Sequence, residues 1–263
     1  MRAALLASLV DDLDHESADL DDRVAALDDA AAATATPAQG WSIADTIAHL
    51  AATDRDAHLA ATDPDGFATL LTRVAATGPS YVDELVVAAR ATPWPVAREQ
   101  WRTGRAELAA VLRGLDPDAR VPWFGPPMSP VSFVTARLME TWAHGQDVAD
   151  ALGQVRTPTE RLRSVAEIGV RARPFAHHVH GLPAPASPVR VELTGPAGDT
   201  WSWGPVDAAD VVRGPALDWC LLVTQRRHRD DLALDVTGVH AEQWVGIAQA
   251  FAGAPGGGRQ PLS

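Results

Sequence analysis

The feature that most constrains this fold is a helical pattern that runs almost without interruption through the first 152 residues. Alanine and leucine dominate this region, and Pro and Gly residues divide it into segments. Ser42 with Asp45 three residues later fits a capping box, and Ser129 before Pro130 fits a second helix start. Gly153 fits the end of that helix. The predicted helices cover roughly 2–30, 42–62, 65–76, 80–91, 95–114 and 130–152. Four longer and two short helices predict an up-down helical bundle with a crossover.

The pattern changes after a proline-rich stretch that ends near residue 187. VRVELTG and DTWSWG alternate around the turn sequence GPAGD, which predicts a β-hairpin. GPALDWCLLVTQRR predicts a helix, DLALDVTG a strand and HAEQWVGIAQAFAG a closing helix. The chain is therefore predicted to be a two-domain α+β protein. Its parts are a helical bundle over 1–153, a helix and Pro-rich linker over 154–187, a small α/β domain over 188–253 and a flexible tail over 254–263.

Composition and charge exclude several classes of protein. A net charge of -12 argues against a nucleic-acid partner, because a phosphate backbone attracts clustered cations. Cys220 is the single cysteine and lies in an apolar run, so neither a disulfide within the chain nor a cysteine-based zinc site can form. The start of the chain turns acidic after a short apolar stretch, which is typical of an amphipathic helix and not of a signal peptide. No apolar run approaches the ~18 residues of a membrane span. We expect a cytoplasmic protein, monomeric or homodimeric, that acts on a small molecule.

Two helical segments carry candidate metal ligands. Glu140 and His144 are four residues apart in METWAHGQD, so they project from one helix face a turn apart. Neighbours on that face, such as Phe133 and Ala136, are aromatic or small and predict that it is buried. An ionised glutamate is costly there unless it is paired or bound to a cation. His49 in GWSIADTIAHL completes a three-ligand set that leaves one coordination position free, as catalytic metals require.

Spacing alone leaves a second interpretation open. Glu140 and His144 would also be explained by an ion pair on a helix surface, because a single Glu-x-x-x-His is a common pattern. Asp45, one turn before His49, could orient that imidazole, but its place in the capping box predicts a structural role.

Other polar residues are predicted to have secondary or structural roles. Asp54 and His58 lie four apart on the apolar stripe of their helix. They could line a cavity, but a buried pair is the favoured prediction, and neither is counted as a metal ligand. Asp147, one turn after His144, is a further candidate on the ligand face. Solvated loop positions are predicted for His177, His178 and His180.

Two segments of the chain resemble the DinB-like metal-binding bundles. They are GWSIADTIAHLAATD and, about ninety residues later, ETWAHGQDVADALG. They resemble more closely the N-terminal domain of the mycothiol-dependent maleylpyruvate isomerase family. RGPALDWCLLVTQRR is similar to the second domain of that family, which is related to sterol-carrier-type α/β domains. The resemblance implies a divalent metal, usually zinc, bound by His49, Glu140 and His144.

The same resemblance implies an activity. The metal would activate the thiol of mycothiol for isomerisation or S-transfer on a small electrophile, and Arg226 and Arg227 are candidates for holding an anionic substrate. Two alternatives stay open. One is a metal-dependent hydrolase or cyclase of secondary metabolism that activates water without a thiol cofactor, and the other is a non-catalytic ligand-binding protein. Neither the substrate nor the choice among zinc, nickel and iron follows from the sequence.

Overall fold

The computed structural model describes residues 1–78, 81–253, 255–256 and 258–262. The chain divides into two compact units, Met1–Arg156 and a second that begins at Thr157. The boundaries predicted above stay predictions. Residues 254, 257 and 263 of the predicted tail, and residue 80 of the predicted helix 80–91, lie outside the described residues. No helix in the described part of the chain combines the length and the apolar character needed to cross a membrane.

Four long helices form the bundle of the first unit. The helices of this unit are α1 (Arg2–Val24), α2 (Asp29–Ala32), α3 (Ile43–Thr62), α4 (Pro64–Thr77), α5 (Tyr81–Ala89), α6 (Trp94–Arg113) and α7 (Pro130–Ala151). The helix α1 packs against α6 and α7, and α3 packs against the same two, so the four helices close a ring. The shorter α4 and α5 lie between α3 and α6 in the chain and pack on α3, in agreement with the predicted crossover.

The first helix is shorter than predicted. It ends at Val24 instead of near residue 30, because Asp28 caps a separate short helix. The backbone N–H of Ala31 donates to Asp28 Oδ1 over 2.8 Å, which is a typical N-cap interaction that starts a new helix.

The apolar core of the bundle consists of two clusters separated by polar side chains. One cluster contains Leu13, Ala57 and Leu138, and the other contains Leu20 and Leu50. Along α1, α3 and α7, polar side chains that are buried or nearly buried lie at or between the positions of the two clusters. We call this set the polar layer. Its members are Glu16, Ser17, His49, Asp54, Arg137, Glu140, Thr141, His144 and Asp147. Burial of so many polar groups requires mutual pairing.

The second unit is built on a mixed sheet. Its elements are α8 (Leu162–Arg171), α9 (Arg173–Val179), β1 (Val189–Thr194), β2 (Thr200–Trp203), β3 (Asp210–Pro215), α10 (Ala216–Val223), β4 (Asp235–Thr237) and α11 (Val239–Val245). The strand order is β2-β1-β3-β4. The predicted hairpin is β1–β2, with Val191 opposite Trp203. The central strand β3, which pairs parallel to β1 and antiparallel to β4, was not predicted.

Two sequence predictions for this unit are wrong. The loop predicted for His177, His178 and His180 begins later, because α9 continues to Val179 and contains the first two of these histidines. His177 is 3% exposed and its Nδ1 lies 2.9 Å from the carbonyl oxygen of Arg173. His178 and His180 are exposed, as predicted, although His178 lies in α9 and not in a loop. The closing helix stops at Val245, well before the end of the segment predicted for it.

Candidate metal centre

The start of α3 fixes the position of His49. Ser42 N–H donates to Asp45 Oδ2 over 2.9 Å, and Asp45 N–H donates to Ser42 Oγ over 3.1 Å. Arg90 adds an ion pair of 2.9 Å to the same carboxylate. Burial alone would raise the pKa of Asp45, but Arg90 and Ser42 outweigh it and lower the pKa. The Asp45 carboxylate therefore serves the capping box, as predicted, and anchors the helix that carries His49.

The helix α7 carries the other two candidates. Ser129 caps it by accepting from the N–H of Ser132 over 3.2 Å, with Pro130 in the first turn. Because α7 packs against both α1 and α3, most of its circumference is buried between Leu138 and Ala149. This confirms that the second face of the helix is buried.

The three candidate side chains lie together. Their ligand atoms, one from each residue, all lie within 4.8 Å of one another. Glu140 Oε2 lies 3.7 Å from His49 Nε2 and 3.5 Å from His144 Nε2. His49 and His144 are each 9% exposed, and the Glu140 side chain is 24% exposed. An ion pair of Glu140 and His144 on an open helix surface is therefore excluded, since His49 and a buried surrounding complete the group.

The protonation states suit a cation. Burial lowers the pKa of His49 to about 4, and the opposing effect of Glu140 is not enough to restore it. Burial would raise the pKa of Glu140, but its contacts with His144 and His49 hold that pKa well below its usual range. At neutral pH the group thus offers a neutral imidazole at His49 and an ionised carboxylate, which is the ligand state that metals require.

Two further residues contact the imidazoles. Asp147 is fully buried, and its Oδ2 lies 3.3 Å from His144 Nδ1, the nitrogen that faces away from Glu140. The Trp41 ring lies 5.0 Å from the His49 ring and 5.9 Å from the His144 ring, measured between centroids. Asp147 was a candidate from its spacing on α7. Trp41 was missed, although it directly precedes the cap residue Ser42.

A buried ion pair continues the polar layer one turn away from the candidate ligands. Arg137 Nη2 donates to Asp54 Oδ1 over 2.9 Å and to Thr53 Oγ1 over 3.0 Å. The predicted pairing of Asp54 with His58 is therefore wrong. His58 is half-buried, with its Nδ1 3.5 Å from the hydroxyl of Thr62.

Arg137 was also missed as a partner of this network. Its position three residues before Glu140, on the same helix face, was the signal that could have identified it.

The two candidate substrate-binding arginines lie in the second unit, directly after α10. Arg226 Nη1 donates to the carbonyl oxygen of Thr224 over 2.6 Å, and Arg227 Nη1 donates to that of Arg226 over 2.7 Å. Arg227 also lines a pocket of about 240 Å³ together with His180, Arg229 and Arg259. The assignment of Arg226 and Arg227 to substrate binding stays a prediction.

The bundle, the His–Glu–His group on two of its helices and the α/β unit that follows define a two-domain α+β protein with a possible metal centre in its first unit. Comparison with known proteins identifies the family. The chain belongs to the family of the mycothiol maleylpyruvate isomerase N-terminal domain, whose model matches residues 13–149. A second family model, described as wyosine base formation, matches residues 185–235.

Relatives extend the similarity over nearly the whole chain. The uncharacterized proteins MT0041 and Rv0036c of Mycobacterium tuberculosis are both 52% identical to it over 250 residues, covering 95% of this chain and 97% of theirs. Crystal structures of the mycothiol-dependent maleylpyruvate isomerase and of a variant with one histidine replaced by alanine match with TM-scores of 0.59 and 0.60. Each is 18% identical and covers 89% of this chain and 94% of that one. This match confirms the two-domain α+β fold predicted from the sequence.

Proposed function

We propose that His49, Glu140 and His144 bind one divalent cation, with zinc as the first candidate, and that the protein is a thiol-dependent metalloenzyme. The reaction class is isomerisation or S-transfer on a small electrophile, with mycothiol as the thiol. The observation that carries this proposal is the convergence of three ligand atoms within 4.8 Å in a largely buried site. Family membership supports the choice of mycothiol.

The donor set fits such a cation. Two imidazole nitrogens and one carboxylate oxygen are ligands that zinc accepts in catalytic sites, where three protein ligands leave a further position for a reactant. A divalent cation with one carboxylate and two neutral imidazoles carries a net charge of about +1. A monoanionic reactant such as a thiolate would neutralise that charge, which favours its binding in a site shielded from water.

The chemistry that the cation would supply is a lowered pKa for a thiol or water molecule in the open position. The residues of the chain prepare the site for it. Glu140 provides the negative charge, and His49 stays unprotonated at neutral pH because burial holds its pKa at about 4. Asp147 lies on Nδ1 of His144 and so favours the tautomer whose Nε2 is free to act as a ligand.

The nucleophilic thiol has to come from outside the chain. Cys220 is fully buried in the second unit, where its Sγ lies 3.5 Å from the carbonyl oxygen of Leu162. Burial raises the pKa of its thiol well above the usual range, so it stays protonated and unreactive at neutral pH. An added thiol cofactor would fill this role. Arg226 and Arg227 are our candidates for holding the carboxylate of an anionic substrate, because a guanidinium matches its geometry.

Metal content tests the site first. We expect about one equivalent of zinc in the protein by mass spectrometry after reconstitution, and loss of that zinc in His49→Ala, Glu140→Ala and His144→Ala. His58→Ala is the matched control, because His58 lies on the same helix as His49 and contacts Thr62. If all three variants kept their zinc, the proposed centre would be wrong.

Turnover then separates the reaction classes. Maleylpyruvate, the substrate named for the structural relatives, serves as the probe electrophile with and without mycothiol. Turnover that requires mycothiol would support the proposal. Turnover of an ester or amide without thiol would support a hydrolase or cyclase instead, and binding without turnover would support a ligand-binding protein.

A further inference from the structure

The loop before α3 holds Trp41 firmly. The backbone N–H of Trp41 donates to the carbonyl oxygen of Ala38 over 3.0 Å. The backbone carbonyl oxygen of Trp41 accepts from the backbone N–H of Thr36 over 2.8 Å and from the Thr36 hydroxyl over 3.1 Å. Ala35 and Ser42 form an antiparallel bridge that closes the loop. The backbone of Trp41 is thus tied on both sides, immediately before the capping box that starts the helix of His49.

The indole of Trp41 contacts both imidazoles of the candidate centre. It is nearly parallel to the His144 ring, with an interplanar angle of 18°, and tilted by 51° to the His49 ring. The two imidazoles are themselves edge to face, 4.7 Å apart between centroids. The three rings form one packed group, in which the indole lies against both imidazoles.

The two histidines differ in how they are oriented. His144 has the carboxylate of Asp147 on its Nδ1, whereas the described contacts that orient His49 are those with Glu140 and with the rings of Trp41 and His144. His49 therefore depends on ring packing for its orientation to a larger extent than His144 does.

We infer that Trp41 is a positioning residue of the metal centre, which holds the planes of His49 and His144 so that both Nε2 atoms point at the position beside Glu140 Oε2. The inference rests on the proposed metal centre and adds to it a residue that binds no metal itself. A metal–imidazole bond is directional, because the lone pair lies in the ring plane. Fixing both planes in advance removes the ordering cost from metal binding.

Cobalt binding tests this role. Co²⁺ replaces zinc in sites of this kind, and its visible absorption reports the geometry of the ligands. We expect Trp41→Leu to weaken Co²⁺ binding by about tenfold or more and to alter the visible spectrum, in the range typical of residues that orient metal ligands. Trp41→Phe keeps a smaller ring, so a loss of Co²⁺ affinity smaller than that of Trp41→Leu is expected. Apo-protein circular dichroism verifies that each variant is folded.

Trp123→Leu is the matched control. Trp123 is also a half-buried tryptophan of the first unit, and its ring packs on Phe67, Phe124 and Phe133. Its loss should leave Co²⁺ affinity and spectrum unchanged. Unchanged Co²⁺ affinity and spectrum in Trp41→Leu would overturn the positioning role of Trp41 without contradicting the metal centre. If Trp41→Leu does not fold, unchanged affinity and spectrum in Trp41→Phe would overturn it. Absence of Co²⁺ binding in the parent protein would instead remove the metal centre itself.

Discussion

At the residue scale, the buried carboxylate of Asp147 should determine how well His144 can serve as a ligand. Asp147→Asn keeps the shape of the side chain but removes its charge, so it no longer favours the Nδ1–H tautomer of His144. We expect zinc affinity to fall by about 10-fold to 100-fold, measured by competition with a chromophoric chelator. Asp150→Asn is the control, since Asp150 is on the same helix and accepts from Gln146. Equal affinities in the two variants would contradict the assignment.

His49 should also make the metal-free protein sensitive to acid. Its pKa is about 4 in the folded chain against 6.5 for an ordinary histidine, so the unfolded chain takes up the proton first as pH falls. Above pH 6.5 His49 does not lower the free energy of unfolding. Between pH 6.5 and about 4 this free energy falls progressively, because the unfolded chain binds the proton more tightly than the folded chain. The loss should reach about 3 kcal/mol from this group, because each pKa unit corresponds to about 1.4 kcal/mol.

Urea unfolding in the presence of chelator measures this loss. The parent protein should lose stability across that range, whereas His49→Gln should show a flatter profile because glutamine does not titrate. Glu140 acts in the same direction at lower pH, since its depressed pKa stabilises the folded chain only while the carboxylate is ionised. Identical slopes in the parent and in His49→Gln would show that His49 does not titrate as inferred.

At the element scale, the pairing of α3 with α7 depends on the buried ion pair of Arg137 and Asp54. Their side chains are 3% and 7% exposed. Burial raises the pKa of Asp54 despite the opposing effect of Arg137. Arg137→Met would leave that carboxylate buried without its cation, and we expect a loss of about 3–5 kcal/mol in unfolding free energy. The double variant with Asp54→Leu should recover most of this loss, because two apolar side chains can replace a buried pair.

Arg2→Met is the comparison for this pair. It breaks the ion pair of Arg2 and Asp118, whose side chains are 74% and 73% exposed, and should change stability by less than about 1 kcal/mol. A similarly small effect of Arg137→Met in urea denaturation would mean that the buried pair does not hold the two helices together.

The helices and strands that could be predicted from the sequence are those with local sequence signals. The helix α3 and the β1–β2 hairpin have local signals, a capping box and an alternating pattern around a turn, and both were predicted. The strand β3 was missed because it ends in Gly214 and Pro215, and because it buries Asp210, Val211 and Val212 in succession instead of alternating. Its place in the sheet is set by pairing with β1, a contact between distant segments of the chain.

In the candidate metal centre, too, local patterns could be predicted from the sequence and contacts between distant segments could not. Glu140 and His144 could be chosen together because their spacing lies within one helix, and His49, from a second helical segment, completed a three-ligand set. Arg137 and Trp41 were missed, because their partners Asp54, His49 and His144 are defined by packing between separate segments. The spacing of Arg137 from Glu140 places it on the ligand face, but its pairing with Asp54 and the ring contacts of Trp41 leave no short-range pattern. The metal-binding role of the three ligand candidates stays a prediction until the metal is measured.

At the scale of the whole molecule, the two units should respond differently to metal. All three ligand candidates lie on α3 and α7 of the first unit, and the second unit has its own four-stranded sheet. A ligand at one hundred times its dissociation constant stabilises the unit that binds it by about 2.7 kcal/mol. We therefore expect zinc to slow amide hydrogen exchange along α3 and α7, while the amides of β1 and β3 keep their rates.

Exchange measured by mass spectrometry on the whole chain, with zinc and with chelator, tests this difference. In His144→Ala, zinc should leave the exchange rates of both units unchanged, because one of the three ligands is missing. If zinc slowed exchange in β1 and β3 of the parent protein as strongly as in α3, the stabilisation would belong to the entire chain and the bundle could not be treated as a separate metal-binding unit. Protection confined to α3 and α7 would locate the metal by its energetic effect, independently of any assay of turnover.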